Sequence, residues 1–153
     1  MIRITRETDY GIIVLAFMAR NRQHSFSAAT LAKEGGLPLP MVSKVLKVLA
    51  KAGLLVSQRG ARGGYTLARP PEAISAAEII DALEGPIAIT ECSSGLPSAC
   101  VHEGHCAVSN HWHRINSAVR EALGNISLFE MSRPPPVQVE FLSSGDGSRP
   151  ALT

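Results

Sequence analysis

A mainly α fold carrying one small β-hairpin is the expectation for this chain of 153 residues. Three observations lead to it. Apolar side chains recur every three or four residues in five separated stretches, the period of a half-buried helix. Short apolar runs flank Gln58-Arg59-Gly60-Ala61-Arg62-Gly63-Gly64, which reads as strand, glycine turn and returning strand. Capping residues and glycines punctuate the helical stretches where starts and stops are needed.

The first helix is predicted over 8–20, apolar at Ile12, Ile13, Leu15, Ala16 and Ala19, with Thr8 or Asp9 able to cap it. The second opens at Ser27, passes Ala28, Leu31 and Ala32, and stops at Gly35-Gly36, where glycine tolerates the left-handed turn. A third is predicted over 41–52, with Pro40 suited to a first turn. Its apolar stripe is Val42, Val45, Leu46 and Leu49, while Ser43, Lys44, Lys47 and Lys51 lie mostly away from it. Strands are expected over 54–57 and 65–68. Ser75-Ala76-Ala77-Glu78 is a capping box that opens a fourth helix, closed by Gly85-Pro86. The fifth, over 108–123, carries Val108, Trp112, Ile115, Val119 and Ala122 at spacings of 4, 3, 4 and 3. That is the seam of a helix packing on a partner helix, and a homodimer is expected from it. One more apolar turn is expected over residues 126–131. From Arg133-Pro134-Pro135-Pro136 onward the chain turns to Pro, Ser and Gly, and a disordered tail is expected.

Charge divides the chain. Residues 1–70 carry eleven Lys/Arg against three acids, a net of +8, and residues 71–153 carry four against ten, a net of −6. Two helices joined by a short glycine turn, the second with a basic face, form a helix-turn-helix. A basic hairpin after them makes it a winged helix over 1–70. Double-stranded DNA is the expected partner. Ser43, Lys44 and Lys47 are assigned to base edges or phosphates in the major groove, and Arg59 and Arg62 to backbone or minor groove. The remaining divisions are a linking helix over 71–91, a cysteine loop over 92–106, the dimerisation helix and terminal turn over 107–132, and the tail over 133–153. No apolar run is long enough to span a membrane, and the N-terminus lacks the regions of a signal peptide, so a cytoplasmic protein is expected. No Ser/His/Asp arrangement, nucleotide loop or paired-carboxylate signature stands out, and an enzyme is not expected.

Cys92, Cys100 and Cys106 are all the cysteines of the chain and share one Gly-, Ser- and Pro-bearing loop. Clustered thiols in a reducing compartment favour a metal site or redox chemistry over a disulfide framework. Thiolates are the soft ligands of iron and zinc.

Several of these stretches together resemble the iron–sulfur-sensing winged-helix regulators typified by IscR and NsrR, over roughly residues 1–131. The carriers are Ile4-Thr5-Arg6-Glu7-Thr8-Asp9-Tyr10, Arg59-Gly60-Ala61-Arg62-Gly63-Gly64-Tyr65, Ser75-Ala76-Ala77-Glu78-Ile79-Ile80 and the three-cysteine loop. Thr8-Asp9-Tyr10-Gly11, Val42-Ser43-Lys44-Val45-Leu46-Lys47 and Ala82-Leu83-Glu84-Gly85-Pro86 look closest to the regulators of SUF-type iron–sulfur assembly operons. The resemblance implies that Cys92, Cys100 and Cys106 hold an iron–sulfur cluster, [2Fe-2S] or [4Fe-4S]. It implies a transcriptional regulator that senses cluster status and controls iron–sulfur assembly genes. In the IscR pattern a histidine follows the third cysteine; that position is Ser109 here. In the NsrR pattern an aspartate near the start of the first helix, from the partner subunit, is the fourth ligand, and Asp9 matches it. Asp9 also suits a helix N-terminus on electrostatic grounds alone, and His102, Glu103, His105 and His111 are alternative ligands. The competing expectation uses the same cysteines without a cluster, as a thiol redox sensor or a zinc-stabilised DNA-binding regulator.

Overall fold

The computed structural model describes residues 3–96 and 100–134, leaving the side chain of Glu103 aside. Of the tail expected over 133–153, residues 135–153 lie outside the described set. So do residues 97–99 of the cysteine loop.

The first helix, α1, spans Arg6–Arg20 and is capped by Thr5, whose hydroxyl accepts from the Thr8 backbone N–H at 3.3 Å. The expected caps, Thr8 or Asp9, lie inside the helix instead. Thr8 is withdrawn from capping because its side chain is fully buried and donates to Glu84 Oε1 at 2.7 Å. The buried face runs through Gly11, Val14, Leu15 and Met18, which leaves Ile13 39% exposed rather than in the core stripe.

Helix α2 spans Ala28–Gly35 between the Ser27 cap and Gly36, which takes φ 61°. Helix α3 spans Leu39–Lys51, starting two residues earlier than expected with Pro38 as its cap. Strands β1, Leu55–Gln58, and β2, Gly64–Leu67, pair antiparallel with Leu55 opposite Leu67 and Gln58 opposite Gly64. Both strand starts differ by one residue from the sequence expectation. A short 3-10 turn at Pro71–Ala73 leads to α4, Ala76–Glu84, which carries the complete Ser75–Glu78 capping box. Helix α5 spans Ser109–Gly124, and α6 spans Leu128–Ser132.

One core gathers α1 to α4 and α6. Leu15 and Met18 of α1, Leu31 of α2, Val42, Val45, Leu46 and Leu49 of α3, Ile74, Ile79 of α4 and Leu128 of α6 are each at most 2% exposed. Full burial of such a side chain is worth about 1.5–3 kcal/mol. The stripe read from α3 is therefore the centre of the molecule, which fixes its opposite, basic face outward. Leu128 brings the end of the chain back to this core. Its N–H donates to the Ile74 carbonyl at 2.7 Å, and the Ala76 N–H donates to the Ile126 carbonyl at 2.8 Å.

The junction of α1 and α4 is closed by one carboxylate. Glu84 accepts from the Thr5 N–H and the Thr8 hydroxyl, both at 2.7 Å. Chiefly the Thr5 backbone bond, then the Thr8 bond, holds its carboxyl below the ordinary value of 4.5. A carboxyl with a depressed folded pKa stabilises fully above its unfolded value and loses that contribution as pH falls through the folded one. Glu84→Gln is expected to lower the melting temperature at pH 7, through a loss limited by solvent screening to about 1 kcal/mol. The gap to wild type should narrow as pH is lowered below 4.5. Melting curves of both proteins from pH 7 to pH 3 check this. A gap that widens on acidification would remove the carboxylate from the junction.

Candidate nucleic-acid interface and cysteine loop

On the outward face of α3, Lys44 and Lys47 are exposed and Ser43 is half-buried. Arg59 and Arg62 are exposed at the hairpin tip. The tip is shaped by glycine. Gly60 takes φ 114°, and the Gly63 N–H donates to the Gly60 carbonyl at 2.9 Å. A side chain at Gly63 would collide with the Gln58 carbonyl oxygen.

The hairpin is fastened to the helices by a third rung. Phe26, in the segment before α2, bridges Tyr65: the Tyr65 N–H donates to the Phe26 carbonyl at 2.8 Å and the Phe26 N–H to the Tyr65 carbonyl at 3.0 Å. The Phe26 ring stands edge-on to Phe17 of α1, centroids 5.3 Å apart. The wing is thereby tied to the segment before α2 and, through Phe17, to α1. The wing and α3 both present cations outward, as a surface that follows a phosphate backbone requires. Their charges differ in one respect. Lys44 Nζ lies 2.6 Å from Glu7 Oε1, whereas Lys47, Arg59 and Arg62 pair with no carboxylate among the described residues.

The three cysteines are free and half-buried. Cys92 lies in a 3-10 turn, Glu91–Ser93, started by Thr90, whose hydroxyl is 3.2 Å from Cys92 Sγ. A second 3-10 turn, Glu103–His105, precedes Cys106. Ser109, at the position where the IscR pattern has histidine, donates its hydroxyl to the Cys106 carbonyl at 3.1 Å. Asp9 is exposed in the first turns of α1. His102, His105 and His111 are exposed as well. Three free thiols within one loop are a donor set that suits an iron–sulfur cluster. Among the described residues, no three His, Cys, Asp or Glu side chains converge on one point within a single protomer.

What precedes the loop is held firmly. Asn116 of α5 is 7% exposed. Its Oδ1 accepts from the Ile89 N–H at 3.1 Å and its Nδ2 donates to the Ile87 carbonyl at 3.2 Å. Asp81 of α4 accepts from the Ile87 N–H at 2.9 Å and takes both guanidinium nitrogens of Arg120, at 3.2 and 2.9 Å. Residues 87–89 are therefore gripped by α4 and α5 together. Nothing in the sequence reading singled out Asn116. Its signal is a second stripe on α5, Asn116, Val119, Arg120 and Leu123, at intervals of three, one and three. Val119 and Leu123 of that stripe line, with Arg3, Ile4, Ile80, Ile87 and Ile89, a groove of about 670 Å³. Of the expected seam, Val108, Trp112 and Ile115 are exposed by 51%, 36% and 45% in the single chain and Ala122 is exposed, whereas Val119 departs from the seam and is half-buried in the groove of its own chain.

The Rrf2 family profile, described as an iron-dependent transcriptional regulator, matches residues 4–134. CymR of Bacillus subtilis, an HTH-type transcriptional regulator, is 30% identical over 86% of this chain and 90% of its own length. The solved structure of that protein, described as the global cysteine regulator, superposes with a TM-score of 0.67 at 31% identity, over 86% of this chain and 97% of its own. The structure of T. potens IscR superposes with a TM-score of 0.64 at 28% identity, over 85% of each chain. IscR of Vibrio cholerae is 28% identical over 85% of this chain and 75% of its length. These relatives are named as transcriptional regulators rather than enzymes. Among the described residues no helix is long and apolar enough to cross a membrane.

Proposed function

The chain belongs to the Rrf2 family of transcriptional regulators, and on that premise we propose that it reads iron–sulfur cluster status and controls iron–sulfur assembly genes. The observation that carries this reading is the set of three free, half-buried thiols in one loop, directly beyond a segment clamped by two helices. A bound cluster would supply a redox-labile cross-link at Cys92, Cys100 and Cys106, with Asp9 of the partner subunit as the fourth ligand.

The chain's own residues then do the following. Residues 1–70 hold DNA: Ser43, Lys44 and Lys47 of α3 enter the major groove, while Arg59 and Arg62 grip phosphate or minor groove. The exposed seam of α5 pairs two copies, which sets two α3 helices over two half-sites. Asn116 and Asp81 fix residues 87–89 against α4 and α5, so that a change in the loop is passed to both helices. Glu84 carries it on from α4 to the first turn of α1. Two-way coupling of cluster and DNA follows from the linkage of two ligands to one conformational equilibrium. As a regulator of transcription the protein acts where the chromosome is, in the cytoplasm.

A second reading rests on the likeness to the global cysteine regulator of B. subtilis. In it the same thiols respond by oxidation or by binding zinc, without a cluster. Anaerobic purification with a visible spectrum and iron, sulfide and zinc counts separates the two. The expected result is a brown protein with iron and sulfide, decolourised by Cys92→Ser, Cys100→Ser or Cys106→Ser, whose DNA affinity differs between cluster-loaded and cluster-free forms. A colourless protein with stoichiometric zinc, or one without metal, would sink the cluster reading in favour of the second.

A further inference from the structure

The Lys44–Glu7 contact joins a recognition-helix cation to a carboxylate in the first turn of another helix. The pair is short, 2.6 Å, and open to solvent, with Lys44 60% and Glu7 37% exposed. Lys44 carries the one candidate DNA cation whose charge is already met inside the protein among the described residues. A carboxylate oxygen at that distance has the charge and the reach of a phosphate oxygen. It therefore occupies the place that a DNA phosphate would take on Lys44.

Glu7 itself is held in place. It lies between Thr5 and Thr8, both bound to the Glu84 carboxylate, on a helix packed against α3. Its position relative to Lys44 is set by the packing of α1 against α3, with the first turn of α1 anchored to α4 through Glu84. Its charge also sits favourably near the positive end of α1.

We infer that Glu7 is an intramolecular competitor of DNA phosphate for Lys44, a positioning residue that sets DNA affinity through the Lys44 charge. The inference rests on the reading that α3 enters DNA and adds a regulator of that surface. In the wild-type protein Lys44 releases no counterion from DNA until Glu7 gives it up.

A double-mutant cycle tests this with full-length wild type, Glu7→Gln, Lys44→Met and the double variant, on a random-sequence duplex over a range of salt. Non-specific binding is the proper probe because the phosphate component is independent of sequence. The pair is exposed, so all four proteins should share a melting temperature within a few degrees. Glu7→Gln is expected to bind about two- to fivefold more tightly, the range of an exposed ion pair. Its log–log salt dependence should steepen by roughly one phosphate contact, about 0.9 in slope. In the Lys44→Met background the same substitution should change neither quantity. Equal gains from Glu7→Gln in both backgrounds would mean simple removal of a repelling charge and would overturn the inference. So would an unchanged or weaker affinity of Glu7→Gln when Lys44→Met does weaken binding. If Lys44→Met leaves affinity and slope untouched even in the Glu7→Gln background, Lys44 is not at DNA and the inference falls, whereas the remaining cations of α3 and the wing test the DNA-binding reading separately.

Discussion

Replacing Gly64 by alanine is expected to lower the melting temperature by roughly 5–10 °C, taking about 2–4 °C per kcal/mol for a chain of this size and about 2–3 kcal/mol for an overpacked backbone contact. Affinity for duplex DNA should fall about tenfold, equivalent to about 1.4 kcal/mol. A Cβ at Gly64 would stand 2.6 Å from the Phe26 carbonyl oxygen, 2.8 Å from its carbonyl carbon and 2.7 Å from Ser25 Oγ. Two of these atoms are backbone and belong to the bridge that fastens the hairpin, so no side-chain rotation relieves the collision. The Phe26–Tyr65 rung must open, and Arg59 and Arg62 move with the wing. Gly124→Ala is the control, because nothing lies within 4 Å of a Cβ there and alanine is the better helix former by about 1 kcal/mol. Thermal melts and duplex titrations of both variants decide the matter. A Gly64→Ala protein that melts and binds like wild type would show that the wing is not held by Phe26.

The same position shows where sequence reasoning stops. Gly63-Gly64 is legible as a turn, since glycine is the residue that closes a tight hairpin. The reason for the second glycine is the close approach of the Phe26 carbonyl, from a residue far earlier in the chain, and no local pattern carries that. Helix α3 is legible almost in full, because burial alone selects Val42, Val45, Leu46 and Leu49 at helical spacing and leaves the lysines outside. The start of α1 is not. Thr5 and Thr8 are equal as caps by residue type, and what separates them is the Glu84 carboxylate at the far end of α4. The wing and recognition helix could thus be assigned from charge and period, yet the pairing of Lys44 with Glu7 could not, since it depends on how α1 crosses α3. The cysteine loop is legible as chemistry, because three thiols so close in sequence are a donor set whatever the fold. Its geometry was beyond reach, and the single protomer brings no three donors together among the described residues.

Asn116→Ala is expected to cost about 2 kcal/mol, the loss of two part-buried hydrogen bonds at about 1 kcal/mol each. Alanine's higher helix propensity gives back about half a kcal/mol of that. The loss falls at one place. The Ile89 N–H and the Ile87 carbonyl have their bonds to the Asn116 carboxamide, and among the described residues no second side chain supplies both. Asp81 still holds the Ile87 N–H, and Arg120 still joins α5 to α4. The helices should therefore stay docked while residues 88–90 loosen from α5. Amide hydrogen exchange reads this directly. Protection at Ile89 should fall by one to two orders of magnitude, about 1.4 kcal/mol per factor of ten, with protection in the core of α3 much less affected relative to the new global stability. If α5 and the cysteine loop act as a unit, the variant should also bind DNA with an affinity that no longer depends on the state of the thiols. Its unaltered basic surface should preserve the salt dependence of binding. An Ile89 amide as protected as in wild type would place the clamp elsewhere. A loosened Ile89 with thiol-dependent DNA affinity intact would show that the loop reaches α3 by another route, leaving α1 and its Glu84 junction as the remaining connection.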